Sequence, residues 1–224
     1  MSLLANASVL LGKELRTEFR SRELLTTTVV FILMIIVLFS FTFDPTSTES
    51  RRFGPGLLWL AFLFAASLML QPCFLREQNN DTLSALRLSV EDPFAIFLAK
   101  LAANTLFLLL TEFLLLPIFS VLYNVAVLPV LGWLIFVFFL GSLGVSIAGT
   151  ALSAISAQAR MRELLLPLLL LPLLTPVLVA STEVTKALLD PSPYVSWRGI
   201  GFLAIFDLVF LTALWLFGEY LLEE

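Results

Sequence analysis

REQNNDTLSALRLSVEDPFAIFLAK, residues 76–100, is the one long interior stretch of this 224-residue chain in which polar residues outnumber apolar ones. Around it the sequence is 59% hydrophobic, with 21 Phe and a mean hydropathy of +1.00. A soluble domain of this length needs a polar outer surface and has no room to bury so much apolar area. Several apolar runs reach the ~20 residues that cross a ~30 Å hydrocarbon layer as helix. No train of alternating ~10-residue segments marks a transmembrane β-barrel. The fold class is an all-α, polytopic membrane protein, and residues 76–100 form a loop between two of its spans.

Working outward from that loop, six spans are expected at about 25–43, 54–74, 94–122, 128–156, 164–182 and 199–222 within a single domain. Before them, residues 3–23 place Leu4, Ala7, Leu11, Leu15 and Phe19 three or four apart, with Lys13, Glu14, Arg16, Glu18 and Arg20 elsewhere on the wheel. That pattern predicts an amphipathic helix in the membrane interface, with a soluble helix as the alternative. With both termini inside, Lys13, Arg16, Arg20, Arg22, Arg76, Arg87, Lys100, Arg160 and Arg162 face the cytoplasm, and Arg51, Arg52, Lys186 and Arg198 face out. Nine against four favours cytoplasmic termini, because Lys and Arg placement sets orientation. Residues 183–198 then lie outside, where Val184, Leu188 and Leu189 are compatible with a short interfacial helix and Trp197 with an interface anchor.

Inside the opening stretch, Asp81 is placed to cap a short helix over about 82–90. Leu83, Leu86 and Val90 line one face of it, with Ser84, Arg87 and Glu91 on others. Asp92-Pro93 starts the next span, and Lys100 is expected to snorkel back to the surface. A helix of two or three turns is not stable alone in water, so the bilayer, the protein's own body or a partner must hold it.

Within the bilayer, Asn104, Thr111 and Glu112 share a stripe, and Glu112 lies ~16 Å into its span at ~1.5 Å per residue. An ionisable group at that depth marks a proton or cation site, a substrate contact or a hydrogen-bonded interhelical tie. Asp207 is a second candidate, nearer the outer end, where water is expected to reach it. Gly144/Ala148, Ser142/Ser146 and Gly149/Ser153 are small pairs four apart, suited to close packing within the bundle or between copies. Pro167, Pro172 and Pro176 are expected to kink or break the fifth span, either beside a pathway or only to shape the bundle.

The chain has no His and one cysteine, Cys73, so neither a disulfide framework nor the commonest metal ligand is available. No P-loop, dinucleotide fingerprint or nucleophile–base pair occurs, so the chain is not expected to be an enzyme by itself or to bind nucleic acid.

A span ending in Arg76-Glu77, a short TLSALRLS helix and a lysine early in the next span resemble the permeases of ABC-2 exporters. With GPGLLWLAFLFAASL (Pro55, Gly56, Trp59), LLLLPLLTPVLVAS and the N-terminal KELRTEFRSRE, the chain is similar to the haem exporter permease B family (CcmB) of cytochrome c maturation along nearly its whole length. Asp81 stands where the family loop often has glycine, and Pro93 comes later than the usual proline. The resemblance implies a bacterial inner-membrane subunit whose coupling helix, with Glu77, Thr82, Leu83, Leu86, Arg87 and Ser89, docks on an ATP-binding subunit. It further implies two copies of each subunit, a haem-handling membrane protein and a periplasmic haem chaperone. ATP would act only through the partner, driving haem export or release of haem-loaded chaperone. Haem is a possible substrate rather than a tightly held cofactor, with Tyr123, Tyr194, Met34 and Met69 the conceivable ligands. An ion-coupled transporter using Glu112 and Asp207, or a membrane scaffold, are the alternatives.

Overall fold

The computed structural model of the protein describes residues 3–42, 48–79, 82–90, 92–157 and 162–222. Asp81, Glu91 and Arg160 lie outside the described residues. The helices are α1 Leu3–Ser21, α2 Glu23–Thr42, α3 Thr48–Leu70, α4 Pro72–Asn79, α5 Leu83–Leu88, α6 Phe94–Leu122, α7 Leu131–Ala157, α8 Arg162–Leu188 and α9 Trp197–Leu222. A 3-10 turn at Leu128–Val130 leads into α7.

Five helical stretches among the described residues are long and apolar enough to cross a membrane: Arg52–Gln78, Phe94–Leu122, Leu128–Ala157, Leu165–Leu188 and Trp197–Gly218. α1 and α2, bent by 63° at their junction, make a sixth when counted together. The chain is thus a multi-pass, all-helical membrane protein. Helix suits this environment because it satisfies every backbone polar group within the segment.

α7 is the central post, packing against α3, α4, α6, α8 and α9. Its small residues are what allow this. A Cβ at Gly141 would collide with the Trp59 indole of α3, one at Gly149 with the Leu70 side chain, and one at Gly144 would lie 2.6 Å from Asp207 Oδ1 of α9. The small stripe is therefore consumed inside the chain, between its own helices. Trp59 is 1% exposed and donates its indole N–H to Thr185 Oγ1 of α8 at 2.9 Å. It also meets Phe62 and Phe138 edge-on, so one aromatic side chain ties α3 to α7 and α8.

The three prolines do not break α8, which runs unbroken through Pro167, Pro172 and Pro176. Leu166, Leu170, Leu174 and Val177 form a fully buried stripe along it, while Pro172 and Pro176 point outward. Packing along that stripe holds the helix where local sequence would let it go. α8 also continues past the expected end at 182. Val184 and Leu188 belong to the main core, so the short outer helix expected there is the last turns of a span.

Replacing Gly141 with Val forces the Trp59 ring to move and should destabilise the bundle by about 1–3 kcal/mol. Gly132→Ala, at a position with nothing within 4 Å, should leave stability unchanged or slightly raised. Thermal unfolding of both variants in detergent checks the contrast.

Candidate functional site

The loop that opened the sequence is anchored by charges from three helices. The first anchor is the α1–α2 corner, where Arg22 takes a left-handed backbone with φ 55°. A non-glycine residue rarely does so. Glu18 compensates: its Oε1 accepts the Leu24 and Leu25 amides at 3.1 and 3.3 Å, capping the new helix. Its Oε2 accepts both Arg76 guanidinium nitrogens at 3.2 Å, which fastens the corner to α4.

The second anchor is a buried ion cluster. Lys100 Nζ of α6 lies 2.9 Å from Glu77 Oε1 of α4 and 3.2 Å from Glu14 Oε1 of α1. Lys13 adds a second contact to Glu77 at 2.9 Å. Lys100 also donates to the Cys73 carbonyl and sits 5.0 Å from the Phe74 ring centre. The side chains of Lys100 and Glu77 are only 2% and 6% exposed. Lys100 therefore does not snorkel to the surface; it turns inward because two carboxylates and a carbonyl await it. Burying an unpaired ion costs several kcal/mol, so neither partner tolerates loss of the other. One turn on, Asn104 donates to Thr150 Oγ1 at 3.1 Å and reaches Cys73 Sγ at 3.3 Å.

On this base stands α5. Leu83, Leu86 and Val90 pack against a second core cluster that includes Phe74, Ile96 and Phe97. The Thr82 amide and hydroxyl both bond the Glu77 carbonyl, at 2.9 and 3.2 Å, and the Ser89 hydroxyl bonds the Leu86 carbonyl at 2.7 Å. The protein's own body thus holds this short helix. The expected leucine face is turned inward, Arg87 is half-buried, and the side left open carries Thr82, Ala85, Leu88 and Ser89. Leu88 is 89% exposed. Asp92 then accepts the Phe94 amide at 2.9 Å and starts α6 beside Pro93.

The intramembrane carboxyls sit elsewhere. Glu112 Oε2 accepts the Ser142 hydroxyl of α7 at 2.7 Å, and Thr111 bonds its own backbone at Phe107. Asp207 is 5% exposed, not wet, and neither of its oxygens has a hydrogen-bond partner. It lies against Gly144, two residues from Ser142. Two residues turn a helix by ~200° at 3.6 per turn, so the two carboxyls are on opposite sides of α7 and share no site. Among the weak ligand candidates, Met34 and Tyr194 are exposed, and Met69 and Tyr123 are buried. No group of three Cys, Asp or Glu side chains among the described residues is arranged to hold a metal ion.

The family model described as CcmB protein matches residues 5–215. This chain belongs to the CcmB family. Heme exporter protein B of Pseudomonas aeruginosa is 31% identical over 188 residues, covering 83% of each chain. Heme exporter protein B of Rhodobacter capsulatus is 29% identical over 177 residues, covering 79% of this chain and 81% of its own. The Escherichia coli K12 protein of that name is 31% identical over 91 residues, 41% of each chain.

Within this CcmB-family chain the structure brings Glu77, Thr82 and Lys100 to one end and keeps Glu112 and Asp207 apart in the interior. Glu14 and Glu18 join the charged end, although helical-wheel reasoning assigned both to the wet face. The signal for them was their spacing: Glu14 and Glu18 are one turn apart and so share a face. Lys100→Met, which leaves the buried Glu77 with Lys13 alone, should destabilise the protein by about 3 kcal/mol. Lys100→Met with Glu77→Leu should recover most of that loss, and a thermal-unfolding cycle over the four proteins measures it.

Proposed function

We propose that this chain is the transmembrane subunit of an ABC-2-type haem exporter complex of cytochrome c maturation. It sits in the bacterial inner membrane with both termini in the cytoplasm. Two copies assemble with two ATP-binding subunits, a haem-handling membrane protein and a periplasmic haem chaperone. ATP is hydrolysed in the partner, and the stroke drives haem export or release of haem-loaded chaperone. The family and the names of its relatives support the cargo.

The observation that carries the coupling role is the mounting of α5. Its apolar face is sunk into the bundle, and Leu88 alone of its leucines stands out at 89% exposure. An exposed leucine on a charged membrane surface is a knob for a partner's groove, since a docked apolar anchor dominates such contacts. A pull on Leu88 passes through Thr82 to α4, and through Glu77 to Lys100 on α6 and Glu14 on α1. Two spans and the N-terminal helix therefore move as one lever. The ion-coupled alternative needs Glu112 and Asp207 at a common ion, and their opposite placement about α7 speaks against it.

Leu88→Asp should abolish co-purification with the ATP-binding subunit while leaving the melting temperature of the isolated chain unchanged. Leu83→Asp with Leu86→Asp should instead lower that melting temperature, because both side chains pack against the core cluster. Normal recovery of the ATP-binding subunit with Leu88→Asp would refute the docking assignment.

A further inference from the structure

At the end of the bundle opposite α5, a partly enclosed cavity of about 230 Å³ opens between the start of α3, the end of α6, the turn before α7 and the α8–α9 loop. Phe119 and Tyr123 line it, stacked with ring centroids 4.7 Å apart and an interplanar angle of 24°. Gly54 makes room for that stack: a Cβ there would lie 3.3 Å from each ring. Its volume is below the ~300 Å³ at which small-molecule sites begin, so it fits one long side chain.

The wall carries one fixed charge. Asp190 is the single ionisable carboxylate lining it, and no lining residue among those described is cationic. Pro55, Pro129, Pro191 and Pro193 bring no N–H donors to it. α6 and α8 end here while α3 and α7 begin here, so helix-dipole ends of both signs meet at the cavity and Asp190 supplies its one net charge. The loop fixes Asp190 by bonding its Oδ1 to the Ser192 amide at 3.0 Å.

The geometry points to a binding site for the side chain of a lysine presented by a partner protein, its stem against the apolar lining and its ammonium at Asp190. A carboxylate attracts such a cation. A zwitterionic lipid headgroup fits less well, because no lining cation meets its phosphate. The nearby Trp133–Trp197 pair, 5.5 Å apart and part exposed, places this mouth at the level of the membrane interface. That the partner is extracytoplasmic rests on the orientation proposed above; the cation chemistry does not.

The test uses the full chain in phosphatidylcholine nanodiscs, with Nα-acetyl-lysine amide as the probe and saturation-transfer NMR as the readout. Saturable binding is expected, weakened at least ~tenfold by Asp190→Asn and by replacement of the probe with neutral Nα-acetyl-norleucine amide. Asp190 lies in an exposed loop, so its variant should melt with the wild type. Equal binding of the norleucine amide, or no effect of Asp190→Asn, would overturn the assignment. So would displacement of the probe by phosphatidylethanolamine in the disc, which would give the pocket to lipid. None of these readings involves the ATP-binding subunit, so the pocket and the coupling reading stand or fall separately.

Discussion

The ion pair between Glu77 and Lys100 is the constraint on which the working end of this molecule depends. It closes the α4–α5–α6 hairpin at its base, at 2.9 Å, with both side chains nearly excluded from solvent. Without it, α5 would be a six-residue helix on a polar tether, too short to hold its shape. With it, α5 has a fixed floor, and the adjoining core cluster of Phe74, Ile96 and Phe97 seats its leucines. Such a pair is weak evidence for net stability, since desolvation opposes its Coulomb gain. Its merit here is geometric: it permits one register of α4 against α6 and recruits α1 through Glu14 and Lys13.

The second organising feature is α7, whose glycines let two other helices, α3 and α9, come close. Trp59 over Gly141, Leu70 over Gly149 and Asp207 over Gly144 are lock-and-key contacts on one helix. Transmembrane helices gain little from excluding lipid from one another, so association rests on this sort of close fit and on a few hydrogen bonds. The Trp59–Thr185 and Ser142–Glu112 bonds are two of these. Other buried polar groups make no such tie: the Ser146, Ser153, Ser156 and Ser181 hydroxyls and the Asp207 carboxyl have no bonded partner.

The spans were legible in the sequence because length and hydropathy translate directly into membrane-crossing helix. So were the start of α6 at Asp92-Pro93 and the existence of a short helix after Glu77, both local signals. The direction in which that helix points was not. Leu83 and Leu86 read as a docking face, and nothing local in the sequence announces that both are half-buried against the cluster of Phe74 and Phe97. Lys100 was misjudged for the same reason: snorkelling is the default of an isolated lysine, and Glu14 lies 86 residues earlier. Of the kink or break that Pro167, Pro172 and Pro176 suggest, the break does not occur, because packing along Leu166, Leu170 and Leu174 keeps α8 continuous. In each case a long-range partner decided the outcome.

The proposed lever is tested most directly by photo-crosslinking in the assembled membrane complex, with a photoreactive residue placed in turn at positions 83, 86 and 88. The account predicts covalent capture of the ATP-binding subunit from position 88, and only intramolecular products from 83 and 86. Capture from 83 or 86 with none from 88 would mean that this helix meets its partner with its other face, and the mounting described here would not be the one that transmits force.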